Sequence, residues 1–245
     1  MRRLSALAAT EARLLTRDWT VLVFAFAFPA FVMLILAGVF GNEPDDGYAM
    51  KRPDDYYVVA SIGVVMTALT LIGLPVALAS YRERGVLRRF EAFGVSTASV
   101  VAALAAVTVG LMALGAAIAL AVAAPTYGIP DVVHPWHVVL GLAAGALTLL
   151  LIGIAAGLAA PTARAAQAIG LLAFFPVYLL GGGGPPKGAM TDSMQTLADT
   201  LPSPITAITD PWLGVSDFSS QVAALAAWAA LALLAIGWLL RRRGA

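Results

Sequence analysis

The chain has 245 residues, of which 60% are hydrophobic and only 12% are charged, and its mean hydropathy is +0.88. A charged fraction this low, about half the usual value, excludes an ordinary soluble domain. The absence of cysteine excludes disulfides, thiolate metal sites and cysteine nucleophiles. The net charge of +1 is spread over separate segments and does not indicate nucleic-acid binding.

The first predicted element is an amphipathic helix over residues 1–17. One face carries leucines and the opposite face carries arginines: Leu4, Leu7, Leu14 and Leu15 against Arg2, Arg3, Arg13 and Arg17. Such a pattern is typical of a helix that lies in the headgroup layer of a membrane. The alternative is a plain positively charged N-terminal tail.

Six apolar stretches without charged residues follow, and they are predicted to span the membrane. They cover residues 19–40, 58–80, 98–124, 136–159, 167–180 and 221–240. Span 5 is short and ends at four consecutive glycines. Residues 181–219 then form a polar outer segment, in which Thr191 or Asp192 is expected to cap a brief helix that stops at Pro202 and Pro204.

Glycines recur in span 4 at a spacing that suits close contact between helices. They are Gly141, Gly145, Gly153 and Gly157. Packing within one subunit is expected, and a seam between two subunits is the alternative. A tight turn over residues 161–166, which carries Arg164, joins span 4 to span 5.

The positive charges predict the orientation of the spans. Twelve of the fifteen Lys and Arg residues lie in residues 1–17, residues 81–94, the Arg164 turn and the C-terminus, and the other three lie on the opposite side. By the positive-inside rule, both termini and residues 81–94 are cytoplasmic. We therefore predict an all-α membrane protein with six transmembrane helices and an N-terminal interfacial helix, forming a single transmembrane domain over residues 1–245.

Residues 81–94 form a charged segment between two apolar spans, and we call them the arginine segment. Wound as a helix, the segment has an apolar and a polar face. The apolar face consists of Val86, Leu87, Phe90 and Phe93. The polar face consists of Arg84, Arg88 and Glu91. A helix connected to membrane spans at both ends can be displaced by a cytoplasmic partner that binds it. The alternative is a solvated loop whose arginines only fix the topology.

Several kinds of chemistry are disfavoured by the sequence. No Asp, Glu, Lys or Arg lies within a predicted span, which argues against a proton-driven carrier, although sodium coupling through backbone oxygens stays open. His134 and His137 are separated by Pro135, which disfavours a helix there, so an interfacial role is expected rather than a metal site. The run GGGGPPKG at 181–188 lacks the spacing of a phosphate loop. No nucleophile motif is present, and no enzyme is predicted.

Three stretches together resemble the membrane subunit of type 2 ATP-binding-cassette exporters, a class that includes drug-resistance and polysaccharide permeases. Residues 17–33, RDWTVLVFAFAFPAFVM, resemble the connecting helix and first span of that class. Residues 81–96, YRERGVLRRFEAFGVS, resemble its R-E-x-G-T-L-x-R coupling helix, with Val86 in place of the usual Thr. Residues 179–210 resemble its outer segment, with Asp210 near a position that often holds Arg.

The resemblance implies a permease, multi-pass in the bacterial plasma membrane, that exports a hydrophobic or amphipathic compound such as a drug or a lipid. Two copies, or one copy and a sister permease, would pair with two ATPase subunits that hold ATP and Mg²⁺, and no cofactor is expected in this chain. The residues expected to contact the ATPase are Arg82, Glu83, Arg84, Gly85, Leu87, Arg88, Arg89, Phe90, Glu91 and Phe93. The residues expected along the transport path, between spans 2 and 5, are Met66, Thr67, Thr70, Phe174, Phe175 and Tyr178.

Two other functions stay open on the sequence alone. One is an ion-coupled carrier that works without an ATPase, which would transport in liposomes under an ion gradient. The other is a membrane scaffold that binds an ATPase but moves no substrate.

Overall fold

The structure, a computed structural model, describes residues 23–215 and 218–244. Within these ranges it is helical, with one isolated antiparallel bridge between Asp45 and Lys51. Five of the described helices are long and apolar enough to cross a membrane, and a shorter apolar helix precedes them. The helices are α1 (Phe28–Phe40), α2 (Pro53–Glu83), α3 (Val86–Ala92), α4 (Thr97–Ala123), α5 (Pro135–Ala159), α6 (Ala163–Gly183), α7 (Asp192–Thr200), α8 (Pro204–Leu213) and α9 (Phe218–Gly244).

The N-terminal part of the prediction is only partly covered by the structure. The interfacial helix predicted over residues 1–17 lies outside the described residues, as does the start of span 1. The described part of span 1 is a π-helical turn, Val23–Ala27, followed by the 13 residues of α1. A span needs about 20 residues, so the structure shows five long helices and one short one, and the sixth span stays a prediction.

The long helices α2 and α6 begin five and four residues earlier than the sequence predicts. Helix α2 starts at Pro53 instead of residue 58, because proline suits the first helical position and Asp54 and Asp55 complement the positive end of the helix. Helix α6 starts at Ala163 instead of residue 167. Its cap is Thr162, whose Oγ1 accepts a hydrogen bond from the Ala165 amide at 3.1 Å. The turn predicted over residues 161–166 is therefore wrong beyond Thr162.

Helix α2 is the centre of the bundle. In its most apolar 18-residue stretch 83% of the residues are buried, against 11% for α9 at the other extreme. Helices α4, α5, α6 and α8 all pack against α2 or its π-helical turn. Because α2 contacts most of the other helices, a displacement of α2 affects the packing of the whole bundle.

Just before Pro75, two carbonyl groups of α2 lie against glycines of neighbouring helices. A five-residue π-helical turn ends two residues before Pro75, because proline lacks an N–H and its ring crowds the preceding turn. There the carbonyl oxygens of Thr70 and Leu71 point at Gly153 of α5 and Gly170 of α6. A Cβ on these glycines would lie 2.2 Å and 2.1 Å from the two oxygens. The backbones of α2, α5 and α6 are therefore in direct contact at this level of the bundle.

Two other glycines of α5 also pack against helices of the same chain. A Cβ on Gly145 would lie 2.8 Å from Pro204 of α8, and one on Gly157 would lie 3.0 Å from Leu78 of α2. The expectation that the glycines of span 4 serve packing within one subunit is confirmed for Gly145, Gly153 and Gly157.

The outer segment holds one predicted helix and one that the sequence analysis missed. Helix α7 follows Thr191, as predicted. Helix α8 begins at Pro204, which the analysis interpreted as a stop, and all ten of its residues are buried. Ser203 caps it by accepting a hydrogen bond from the Ile205 amide at 3.1 Å. Pro204 therefore starts a buried helix within the connection that joins α6 to α9.

Candidate functional site

The arginine segment consists of two helical pieces in the structure. Helix α2 continues to Glu83, the chain turns at Arg84 and Gly85, and α3 begins at Val86. Gly85 has φ +67°, a left-handed conformation that side chains with a Cβ rarely adopt. The single amphipathic helix predicted over residues 81–94 is therefore wrong in extent, and α3 alone is the separate helix.

The apolar face of α3 anchors it to the bundle. Leu87 is buried and Phe90 is half-buried, and both pack in a cluster with Leu78 of α2, Leu104 of α4 and Leu158 of α5. Phe93 lies beyond the end of α3 and is 80% exposed. The predicted apolar face is thus confirmed for Leu87 and Phe90 and wrong for Phe93, since the helix ends before that residue can reach the cluster.

Most of the charged residues of the segment face outward. Arg84, Arg88, Arg89 and Glu91 are exposed. The Arg89 guanidinium donates to the Arg84 carbonyl at 3.2 Å, and the Glu91 carboxylate accepts a hydrogen bond from Thr97. The result is a small exposed surface, mainly positive, on a helix held in place by two apolar side chains.

Arg82 and Glu83 instead bind the turn between α5 and α6. The Arg82 Nη1 lies 2.9 Å, 2.6 Å and 2.8 Å from the carbonyl oxygens of Gly157, Leu158 and Ala160. The Glu83 carboxylate accepts a hydrogen bond from the Ala163 amide at 2.9 Å. These contacts of Arg82 and Glu83 could not be predicted from the sequence, because a contact across 75 to 80 positions of the chain leaves no local signal.

A crevice of about 620 Å³ opens beside α3. Its walls come from the arginine segment, the start of α4, the end of α5 with the α5–α6 turn, and the end of α9. They are formed by Arg82, Glu83, Leu87, Arg88, Glu91, Thr97, Leu158, Pro161 and Leu240. The crevice places charged and apolar groups side by side at one end of the bundle.

The predicted path residues fall into two groups. Met66, Thr67 and Thr70 are buried in α2, and both threonine hydroxyls donate to carbonyls of their own helix, at 2.7 Å and 2.6 Å. Phe174 and Tyr178 are also buried, with their rings stacked 5.5 Å apart. Among the six, Phe175 is the residue on an exposed face.

The exposed face of α6 includes residues that the sequence analysis did not name. Leu172 is 77% exposed, and Ile169, Phe175 and Leu179 are exposed on the same helix. Their spacing of three to four residues is the signal that would have grouped them. From Ile169 to Leu179 this face is apolar.

The opposite end of the bundle holds the glycine run at 181–184. Tyr56 Oη donates to the Gly182 carbonyl at 2.8 Å, and Tyr57 Oη donates to the Gly184 carbonyl at 3.0 Å. The hydroxyl oxygens of Tyr48 and Tyr57 lie 2.9 Å apart. Burial raises the pKa of Tyr48, which favours its protonated form. These hydroxyls satisfy carbonyls that the broken end of α6 leaves free. No local pattern in the sequence indicates this role of Tyr56 and Tyr57, because the two glycines lie 126 and 127 positions later in the chain.

A buried carboxylate lies in the outer segment. Asp210 of α8 accepts hydrogen bonds from the Gln221 side-chain amide of α9 and from Thr209.

His134 and His137 lie with ring centroids 5.6 Å apart, and no group of three or more metal-ligating side chains occurs among the described residues.

Comparison with known proteins identifies the family. Residues 2–207 match the family described as ABC-2 type transporter. No curated protein and no solved structure matched the chain. The match covers most of the 245 residues and agrees with the long apolar helices of a multi-pass membrane protein. The chain therefore belongs to the ABC-2 type transporter family, whose membrane domains are non-catalytic transmembrane subunits that function with ATPase subunits.

Proposed function

We propose that this chain is the permease subunit of an exporter that moves a hydrophobic or amphipathic compound, such as a drug or a lipid, out across the bacterial plasma membrane. Family membership supports transport powered by a separate ATPase. The observation that carries the proposal is α3, a short helix with an anchored apolar face and an exposed arginine face. Such a helix can transmit force from a partner to the bundle.

The proposed assembly contains two permease chains and two ATPase subunits. The second permease is another copy of this chain or a sister permease, and ATP and Mg²⁺ belong to the ATPases. We propose six spans in one transmembrane domain, with both termini and α3 in the cytoplasm. Twelve of the fifteen Lys and Arg residues lie in the N-terminal segment, the arginine segment, the first turn of α6 and the C-terminus, and this distribution supports the orientation.

The proposed ATPase contact surface consists of the exposed charged and aromatic side chains of the arginine segment, apart from Glu83, which is exposed but bonded to the Ala163 amide. They are Arg84, Arg88, Arg89, Glu91 and Phe93. Leu87 and Phe90 hold the surface in place, and Gly85 allows the turn that separates α3 from α2. Phe93, as an exposed aromatic side chain, is suited to be the apolar anchor in the partner.

The proposed transport path runs along the exposed face of α6, with Phe175 and Leu172 in contact with the cargo. An apolar wall suits an apolar or amphipathic compound. Met66, Thr67, Thr70, Phe174 and Tyr178 are buried in this conformation. In the proposal they shape the path by packing behind it.

The test is purification of the tagged chain in mild detergent from its native membrane, followed by an ATPase assay on the eluate. We expect an ATPase to co-purify with the wild-type chain and to be lost from the double variant Arg88→Glu, Arg89→Glu. The control is Arg241→Glu, Arg242→Glu, which changes the net charge equally in another cytoplasmic segment and is expected to retain the partner.

Two results would overturn the proposal. One is a wild-type eluate without ATPase under conditions that preserve other membrane complexes, together with transport by the chain alone in liposomes under an ion gradient, which would favour the ion-coupled carrier. The other is a bound ATPase whose hydrolysis rate responds to no candidate cargo and whose complex exports nothing, which would favour a scaffold.

A further inference from the structure

Beyond contact with an ATPase, the arginine segment is joined to the turn between two other helices. We propose that Arg82 and Glu83 are positioning residues that fasten the α5–α6 turn to the cytoplasmic end of α2, so that a displacement of α3 moves α2, α5 and α6 together. The inference rests on the proposed function for the source of the displacement. The fastening itself rests on the geometry alone.

Arg82 has the chemistry that the end of α5 requires. The last carbonyls of a helix lack partners within the helix and carry its partial negative charge. The Arg82 guanidinium reaches three carbonyls there, those of Gly157, Leu158 and Ala160. All three contacts are made by one nitrogen, Nη1, whose two N–H groups are shared among the three oxygens.

Glu83 has the complementary chemistry for the start of α6. The first amides of a helix lack partners within the helix and carry its partial positive charge. The Glu83 carboxylate accepts a hydrogen bond from the amide of Ala163, the first residue of α6. Arg82 and Glu83, consecutive residues of α2, thus bind the end of α5 and the start of α6. Each side chain has a charge opposite to the partial charge of the helix end that it contacts.

Apolar contacts join α3 to the same turn. Leu87 packs in one cluster with Leu158, whose carbonyl Arg82 binds. The Arg89 guanidinium donates to the Arg84 carbonyl and so holds α3 against its junction with α2. A force on the exposed face of α3 therefore reaches the α5–α6 turn through side-chain packing and through hydrogen bonds. Helix α6 carries the apolar face that we propose as the path.

The experiment compares the fastening residues with an exposed neighbour. The variants are Arg82→Ala, Arg82→Lys, Glu83→Ala and Glu83→Gln, and the comparison is Arg88→Ala on the outer face of α3. We expect Arg82→Ala and Glu83→Ala to retain the co-purifying ATPase but to lower export by about tenfold or more. Arg88→Ala should weaken ATPase binding. Glu83→Gln keeps an acceptor for the Ala163 amide and should retain more export than Glu83→Ala.

A spectroscopic distance provides a readout that is independent of activity. Since the chain has no cysteine, Ala92→Cys and Arg164→Cys, both exposed, give two unique spin-label sites on α3 and α6. We expect a narrow intrachain distance distribution with Arg82 and Glu83 intact, a broad one with either replaced by alanine, and partial recovery with Arg82→Lys.

The two readouts separate the inference from the proposed function. If no ATPase binds the wild-type chain, the proposed function fails, and the distance distribution still decides whether the residues fasten the turn. If the distribution is unchanged by Arg82→Ala and Glu83→Ala in folded, membrane-inserted protein, the inference is wrong. It is also wrong if both variants lose the ATPase as Arg88→Ala does, since the residues would then be partner contacts.

Discussion

The carbonyl oxygen of Thr70 in α2 lies so close to Gly153 in α5 that a Cβ on the glycine would be 2.2 Å away from it. The neighbour is backbone, so it cannot move aside as a flexible side chain would. This contact, with the matching one at Gly170, sets the distance between the three central helices.

Gly153→Ala is expected to lower the free energy of unfolding by about 2 kcal/mol or more, because the methyl group must push two helices apart. Thermal unfolding in detergent measures the effect. The control is Gly110→Ala in α4, whose Cβ would meet no atom within 4 Å. That substitution is expected to be neutral or slightly stabilising, since alanine favours the helix. Equal stability of the two variants would contradict the close contact.

Tyr56→Phe is expected to lower stability by about 1–3 kcal/mol, because it leaves the buried Gly182 carbonyl without its hydrogen bond. Tyr57→Phe removes two hydrogen bonds, the part-buried one to the Gly184 carbonyl and the buried one between the Tyr57 and Tyr48 hydroxyls. We therefore expect a loss of stability at least as large for Tyr57→Phe, measured by thermal unfolding of both variants. Unchanged stability in both variants would show that these bonds do not hold the glycine run.

Leu87→Ala is expected to loosen α3 without unfolding the bundle, because it removes a buried anchor at the edge of a small apolar cluster. Hydrogen exchange of the amides in α3 should become faster. Phe93→Ala, at an exposed side chain beyond the helix, should leave that exchange rate unchanged and weaken ATPase binding. Faster exchange in Phe93→Ala than in Leu87→Ala would contradict the assignment of the anchor.

Gln221→Leu is expected to lower stability by about 1–3 kcal/mol, because it removes a donor from the buried Asp210 carboxylate. The control is Gln167→Leu in α6, a half-buried glutamine whose side chain has no hydrogen bond among those the structure describes. Its effect on thermal unfolding should be small. Matching losses in the two variants would mean that the contact with Asp210 contributes nothing specific.

The long helices could be predicted because membrane insertion depends on local composition. An uninterrupted apolar stretch must satisfy its backbone groups internally, and a helix does so whatever its neighbours are. Helix α8 could not be predicted in the same way. Its burial depends on Gly63 and Gly145, to which Ile205 and Pro204 come close, and these residues are far apart in the sequence.

The membrane class, the long helices, the amphipathic character of α3 and the separation of positive charge could all be predicted, since each depends on residues that are neighbours in the chain. Which charges face outward depends instead on contacts between distant segments. Arg82 and Arg88 belong to one charged segment, yet Arg82 binds the end of α5 and Arg88 is exposed. The difference arises because the α5–α6 turn, some 75 residues later, lies beside the end of α2.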